Sequence, residues 1–207
     1  MAGDRFAFVT GAAATELGGG LGWSYLAAPA GLRFVITAAA GELVLEVLPV
    51  SSYETWIDAY RGTLPKAADR LPGADPDGDG ASNLAEFAFN GAPDDGSDRG
   101  LFAIVIQDTS APVGDELTLV IAVRNGAVFG SGNTATSDGL TYTTQGSLDL
   151  AAWGSTVTHV AGPTTTAPGG SGLTEDLTAT AWKYHTFKLD ASEGLPAKGF
   201  LRAKVEN

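Results

Sequence analysis

Four acidic side chains recur at fixed spacing within residues 75–86, and they are the residues of this sequence best suited to chemistry. Asp75, Asp77 and Asp79 alternate with other residues, and Glu86 follows at the twelfth position of the stretch. Gly80 stands at the sixth position, where a loop that closes around an ion must turn sharply. This spacing is typical of a loop that wraps a calcium ion in oxygen ligands.

The stretch predicts one Ca²⁺ site built from oxygen atoms alone. The seventh position needs only a backbone carbonyl, and the ninth position can bind directly or through water. Magnesium fits less well, because it demands shorter bonds and a near-octahedral shell. The predicted ligands are Asp75, Asp77, Asp79, the carbonyl of Ala81, Asn83 and Glu86.

An acidic surface turn is the alternative interpretation of residues 75–86, because Asp, Gly and Pro are also the commonest turn residues. Five fixed residues at five fixed spacings favour the ion site. A calcium sensor usually exposes a methionine-rich groove, whereas this chain has one methionine and one such loop. We therefore expect a structural ion rather than a switch.

Composition limits the partners that the chain can have. Its 207 residues are 44% hydrophobic, which is enough for a packed core, and its net charge is −12. No basic stripe is present to neutralise phosphates, so neither nucleic acid nor an anionic membrane is an expected partner. No apolar run approaches the length of a membrane span, and we expect no membrane insertion.

The sequence contains no cysteine, which excludes disulfides, a thiolate nucleophile and zinc–cysteine sites. Calcium sites of modest affinity fill where free calcium is close to millimolar, as it is outside cells. We therefore predict a secreted bacterial protein that is extracellular or at the cell surface.

Residue patterns predict a mainly β fold, with one or more antiparallel β-sandwiches and a short helical segment that carries the EF-hand-like calcium loop. Alternation at Leu117, Leu119, Ile121 and Val123 is typical of a half-buried strand. The predicted strands are 5–10, 23–27, 32–38, 42–48, 101–107, 116–124, 140–145, 157–160, 178–189 and 200–205. Helices are predicted from Ser51 or Ser52 to Arg61 and over 83–89.

Three segments follow from these patterns: an N-terminal β segment (1–50), a helix and calcium-loop segment (51–98), and a C-terminal β-sandwich (99–207). Glycine and alanine dominate residues 11–22, which follow the first predicted strand. Such a linker would let strand 5–10 leave its own domain and pair with a neighbouring molecule.

From Tyr53 onward the chain resembles a C-terminal module of large secreted proteins from Verrucomicrobia, Planctomycetes and related bacteria. The matching residues are Tyr53, Trp56 and Tyr60, the loop 74–80 with Asn83, Glu86 and Phe87, the stretch 147–150 with Trp153, and residues 199–202. The resemblance implies a calcium-stabilised β-sandwich at the end of a long secreted protein, without enzymatic activity. Residues 128–138 match nothing in that module.

Signals for catalysis are weak in this sequence. His159 and His185 are its two histidines, and both lie in predicted strands. No nucleophile elbow, zinc-protease helix, phosphate loop or dinucleotide fingerprint is present. Two acids could still converge as in a glycosidase, but the densest acids belong to the calcium loop. We therefore expect that the protein is not an enzyme.

Two functions remain open at this stage. The first is a structural protein that assembles into a surface layer or filament with copies of itself, or with neighbouring domains of a larger surface protein, by strand addition. The second is a carbohydrate-binding or adhesion module in which Trp23, Trp153 or Trp182 stacks on a glycan. Exposed tryptophans would favour the glycan binder, and an open sheet edge would favour assembly.

Overall fold

A computed structural model describes residues 5–10, 30–39, 42–107, 115–190 and 198–207. For residues 5–10, 37–39, 42–43 and 107 it describes the backbone only. The chain divides into two compact units, residues 1–54 and residues 55–207. The predicted helix and loop segment therefore lies mostly in the same unit as the β segment that follows it. Within the described residues, no helix is long and apolar enough to cross a membrane.

The first unit contains one three-stranded antiparallel sheet. Its strands are β1 (Arg5–Thr10), β2 (Leu32–Ala39) and β3 (Glu42–Pro49), and β3 lies in the middle. The predicted strand 5–10 thus pairs with β3 of its own chain, at an edge of the sheet. The pairing shifts register between Ala7 and Val9. The predicted strand 23–27 lies outside the described residues.

Helix α1 (Ser52–Asp58) follows β3 and ends three residues earlier than predicted. Its start is fixed by a capping box, a reciprocal exchange between Ser51 and Glu54. The Ser51 amide donates to Glu54 Oε2 at 2.8 Å, and the Glu54 amide donates to Ser51 Oγ at 3.2 Å. Beyond Asp58 the chain continues in turns rather than in further helix.

The second unit is an antiparallel β-sandwich, which confirms the predicted fold class. Its strands are β4 (Phe102–Gln107), β5 (Glu116–Arg124), β6 (Thr134–Ser137), β7 (Leu140–Ser147), β8 (Val157–Thr164), β9 (Trp182–Leu189) and β10 (Phe200–Glu206). One sheet has the order β4-β5-β9-β8, and the other has the order β10-β7-β6. Two short helical elements precede the sandwich in this unit, a 3₁₀ turn (Ala68–Arg70) and α2 (Asn83–Phe89).

Strand β5 is buried on both faces, although its alternation predicted a half-buried strand. Leu119 and Ile121 face the second sheet, whereas Val120 and Ala122 lie on the opposite face with Tyr184. The loop between β8 and β9 covers that opposite face with Leu177 and its neighbours. Burial on both sides therefore depends on a segment far away in sequence, which periodicity within β5 cannot indicate.

Three further strands depart most from the prediction: β6, β9, and β8, which ends at Thr164 rather than at residue 160. Strand β6 was not predicted, because its four residues consist of Thr, Ala, Thr and Ser. Strand β9 begins at Trp182 rather than at residue 178. The residues before it form turns, in which the Asp176 side chain accepts from both the amide and the hydroxyl of Thr178. Such local side-chain bonds compete with strand pairing.

Helix α2 is fixed to the sandwich by polar contacts from two strands. The Tyr142 hydroxyl donates to the Ala88 carbonyl at 3.1 Å and accepts from the Arg124 amide at 3.2 Å. Trp182 Nε1 donates to the Phe87 carbonyl at 2.9 Å. The Arg124 guanidinium lies 4.5 Å from the ring centroids of both Phe87 and Trp182. These contacts position the loop that leads into α2.

The Tyr142→Phe substitution tests this attachment. We expect a loss of about 1–3 kcal/mol in the free energy of unfolding, because two buried backbone groups lose their partner. Denaturant unfolding measures it. Tyr184→Phe is the matched control, because Tyr184 is equally buried but its hydroxyl donates to the carbonyl of Glu175, an exposed residue. An equal loss in both variants would contradict a special role for Tyr142.

Candidate metal centre

Backbone turns and side-chain bonds within the loop 75–86 bring its carboxylates together. Gly78 and Gly80 adopt left-handed φ angles of 78° and 92°, which glycine reaches without strain. Asp75 accepts from the Gly78 and Gly80 amides at 2.9 and 3.0 Å. Asp77 Oδ1 accepts from the Asp79 amide at 3.2 Å. The loop is therefore held in shape by its own acidic side chains.

The three aspartates offer oxygen atoms that lie within 4.8 Å of one another, close enough to hold one metal ion. Asp79 Oδ1 accepts from the Ala81 amide at 2.6 Å, whereas Oδ2 of Asp77 and Oδ2 of Asp79 are buried without a hydrogen-bond partner. In both residues, one oxygen shapes the loop and the second accepts no hydrogen bond from the described residues. Asp75, Asp77 and Asp79 thus form a cluster that could hold a metal ion.

Glu86 is the most informative acid in the loop, because it is wholly buried. Its side chain has an exposed fraction of 0%, and neither carboxylate oxygen has a hydrogen-bond partner. Burial raises the pKa of Glu86 to about 8, and the negative charges of Asp77, Asp79 and Asp75 add to the effect. Helix α2 presents this carboxylate from its first turn, after Ser82 caps the helix by accepting from the Ala85 amide.

Asn83 is also fully buried, and its amide orientation is set by two bonds. Its Nδ2 donates to the carbonyls of Asp69 and Leu71, both at 2.8 Å. Its Oδ1 is buried without a hydrogen-bond partner. Among the described residues, six buried side-chain oxygens lack a partner, and Thr144 Oγ1 is the one that lies outside the loop. The uncompensated oxygens are thus concentrated at the predicted site.

The structure also shows neighbours of the loop that sequence reasoning missed. Arg99 Nε lies 3.7 Å from Asp79 Oδ2, and this side chain is 53% exposed. The charge of Asp98 contributes to the raised pKa of Glu86. A Cβ atom on Gly96 would lie 3.5 Å from the Asp77 carbonyl oxygen, so this glycine contacts the loop closely. The high content of Gly and Asp in residues 91–100 was the sequence feature that could have indicated this contact.

The structure supports the predicted ligands to different degrees. The structure brings the three aspartates together and buries the free oxygens of Asn83 and Glu86 in the same loop. For Ala81 it shows the backbone amide, which donates a hydrogen bond to Asp79 Oδ1. Oxygen atoms without partners in a buried acidic loop are costly, because each has lost its hydration. A bound cation would replace that hydration.

The two histidines lie together on neighbouring strands. His185 Nδ1 and His159 Nε2 are 3.0 Å apart, across the β8–β9 pair. The Phe129 and Phe187 rings pack against them, with Phe129 centroids 5.4 and 5.0 Å from the rings of His159 and His185. Burial and, as the smaller cause, the nearby charge of His159 together lower the pKa of His185 to about 4. This environment keeps the pair neutral at pH 7.

This histidine pair makes the stability of the protein depend on pH. The pKa of His185 is about 4 in the folded protein and near 6.5 in the unfolded chain. Between these two pH values, the histidine is protonated in the unfolded chain but not in the folded protein. We expect stability to fall as the pH drops from about 6.5 to about 4, by at most about 3 kcal/mol.

His185→Phe should flatten this part of the stability profile, because the variant removes the buried base. The measurement is denaturant unfolding at several pH values in that range. Thr156→Val, at an exposed position just before β8, serves as the control and should keep the wild-type slope. An unchanged slope in His185→Phe would show that other groups carry the pH dependence.

Comparison with known proteins identifies no relative of this chain. No family model, no curated protein and no solved structure matches the chain. The resemblance to the secreted bacterial module therefore stays a prediction.

Proposed function

We propose that the protein is a non-enzymatic, extracellular structural module that a calcium ion stabilises and that assembles with copies of itself by strand addition. The observation that carries the proposal is the fully buried Glu86 carboxyl group, whose two oxygens form no hydrogen bond with the described residues. An ion is the simplest group that makes such a carboxylate favourable, because three further acids surround it.

Calcium is the ion that this donor set favours. Every candidate donor is an oxygen, and a bidentate glutamate at the twelfth position suits the six to eight ligands that Ca²⁺ takes. Zinc and copper prefer nitrogen or sulfur, which the loop does not offer. The ion would join the loop to the first turn of α2, and thereby to the sandwich on which α2 packs.

An extracellular location agrees with such a site. Millimolar calcium fills sites of modest affinity outside cells, and a chain without cysteine needs no oxidising pathway to fold. A net charge of −12 also keeps the protein soluble and partly neutralises on binding a cation.

Self-assembly is supported by exposed apolar side chains on an edge strand. Phe102, Ile104 and Ile106 of β4 are 49%, 53% and 59% exposed. A contiguous apolar patch on a sheet edge is a typical site of strand addition. Strand 5–10 lies at an edge of its own sheet and is followed by the glycine-rich residues 11–22.

The glycan-binding alternative has less support. Arg202 lies 3.9 Å from the Trp153 ring centroid, and Arg124 stacks on Trp182. Trp56 packs against the Tyr60 and Phe87 rings. None of these three tryptophans is among the exposed large hydrophobic residues of the described chain. Trp23 lies outside the described residues.

Glu86→Gln tests the calcium proposal. For the wild type we expect millimolar calcium to raise the free energy of unfolding by about 2.7 kcal/mol at a hundredfold excess over the dissociation constant. The variant should lose most of this gain, because it removes the buried charge that binds the ion. Without calcium, the variant should be about as stable as the wild type, because a Glu86 side chain with a pKa of about 8 is mainly neutral at pH 7, and the Gln amide is a neutral group of the same shape.

Thermal unfolding with calcium, magnesium or chelator measures both effects. Glu206→Gln is the control, because Glu206 is exposed on β10, and it should keep the wild-type response. An equal calcium response in Glu86→Gln, or none in the wild type, would overturn the calcium site.

Deletion of residues 1–12 tests assembly by strand addition. We expect the wild type to form oligomers and the truncated chain to lose them, because the donated strand is gone. Static light scattering measures the mass. Deletion of residues 1–4 is the matched control, because it retains β1 (Arg5–Thr10) and should still assemble. The same mass with and without residues 1–12 would contradict assembly through this strand.

A further inference from the structure

The two sheets of the sandwich differ in width by one strand. The sheet β4-β5-β9-β8 has four strands, and the sheet β10-β7-β6 has three. Strand β10 lies at an edge of the narrower sheet and packs over β5, whose inner residues it covers. Strand β4 lies beyond β5 at the edge of the wider sheet. In the described chain, no strand of the narrower sheet lies beyond β10 to cover β4.

The uncovered position of β4 is visible when the burial of its residues is compared with that of their partners on β5. Phe102 pairs with Ile121 and Ile104 pairs with Leu119, and directly paired residues share a face of the sheet. Ile121 and Leu119 are 1% and 3% exposed, whereas Phe102 and Ile104 are 49% and 53% exposed. One apolar face is therefore closed over β5 and open over β4. Ile106, two residues further along β4, is also open.

A cleft of about 330 Å³ occupies the uncovered position. Phe102, Ile104 and Leu119 line its floor, and Leu201 and Ala203 of β10 form one side. Helix α2 and the metal loop line its end, through residues that include Ala85 and Phe89. The side of β10 away from β7 has no strand partner in the described chain, so its backbone groups border the cleft. An apolar floor beside a free strand edge is what an added strand requires.

We propose that this cleft receives strand 5–10 of a second copy, which pairs with β10 and becomes the fourth strand of the narrower sheet. The proposal rests on the proposed assembly by strand addition and names its acceptor site. The donated segment has six residues and β10 has seven, so their lengths match. In an extended strand, Phe6 and Phe8 share one face, as the apolar floor requires.

The area that such a strand would cover reaches that of a specific interface. Two buried phenylalanines contribute about 300–500 Å². With the three open side chains of β4 and the paired backbone, the total is about 1,000 Å², near the lower limit of stable interfaces. The pairing of β1 within its own chain is imperfect, because the register shift leaves Phe8 without a partner residue on β3.

Exchange of this strand would join each molecule to another copy. Each copy carries one donor segment in its first unit and one acceptor cleft in its second unit, so exchange can either close a reciprocal pair or continue from copy to copy. Residues 11–29 connect the donor segment to the rest of the chain, and their contour length is roughly 65 Å. This length allows the segment to reach a neighbouring molecule.

Disulfide trapping tests the acceptor site directly, because the chain has no cysteine of its own. If Phe6 and Phe8 face the cleft, Ala7 faces outward, on the same side as Lys204 and Glu206 of β10. We would mix Ala7→Cys protein with Glu206→Cys or Lys204→Cys protein under oxidising conditions. A disulfide requires Cα atoms about 4.4–6.8 Å apart, which neighbouring strands satisfy. We expect a mixed disulfide dimer with one of these two partners on a non-reducing gel.

The opposite edge of the same sheet provides matched controls. Thr136 shares a cross-strand row with Glu206 through Thr141, and Thr134 shares one with Lys204 through Thr143. Thr136→Cys and Thr134→Cys should therefore give no dimer with Ala7→Cys. Equal dimer yields at both edges would overturn the proposal, because they would reflect random collision. A double variant, Ala7→Cys with Glu206→Cys, that closes only within one chain would also overturn it.

A second variant tests whether the apolar floor of the cleft contributes to association. Ile104→Glu should weaken association at least about tenfold, because strand addition would bury an unpaired charge. Val128→Glu is its control, since Val128 is 80% exposed away from the cleft, and it should leave association unchanged. Unchanged association in Ile104→Glu would overturn the cleft as the acceptor.

The two proposals fail in different ways. Loss of oligomers on deletion of residues 1–12, without a disulfide to β10, would preserve strand addition and overturn this acceptor site. A wild type that is monomeric by light scattering and forms no disulfide would overturn both.

Discussion

The loop 75–86 concentrates negative charge where the protein supplies little to balance it. Glu86 is fully buried among three aspartates, and Arg99, the cation in contact with the loop, is half exposed and 3.7 Å from Asp79. Such a charge is unfavourable unless a cation or a proton neutralises it. Because Glu86 belongs to α2, the state of the loop bears on the helix and on the strands that hold it. The rest of the unit depends on how this charge is balanced.

Hydrogen bonds between α2 and the sandwich connect the loop to the strands of the core. Tyr142 and Trp182 bond to carbonyls at the end of the helix, on successive residues Ala88 and Phe87. A displaced Glu86 would therefore move backbone groups that are bonded to β7 and β9. This arrangement suits a structural ion, since the strands it braces are those that build the core.

Sequence reasoning succeeded where structure is local and failed where it is not. The spacing of Asp75, Asp77 and Asp79 predicted their convergence, because a loop of this kind sets its geometry within a few residues. Alternation predicted a mainly β fold, and Ser51 or Ser52 predicted the start of the first helix. Burial of both faces of β5, the contact of Arg99 with the loop and the edge position of β10 among the described strands depend on distant segments, which no local pattern encodes.

The position of Arg124 has a consequence for behaviour in salt. Its guanidinium lies between the Phe87 and Trp182 rings and bonds to Asp138 Oδ2 at 2.6 Å, with its side chain 10% exposed. Mobile ions screen exposed charge pairs at physiological ionic strength, but they hardly reach a cation enclosed by two rings. The contact between α2 and the sheet is thus shielded from dissolved salt. One short helix therefore joins a salt-shielded contact to an acidic loop that could hold a metal ion.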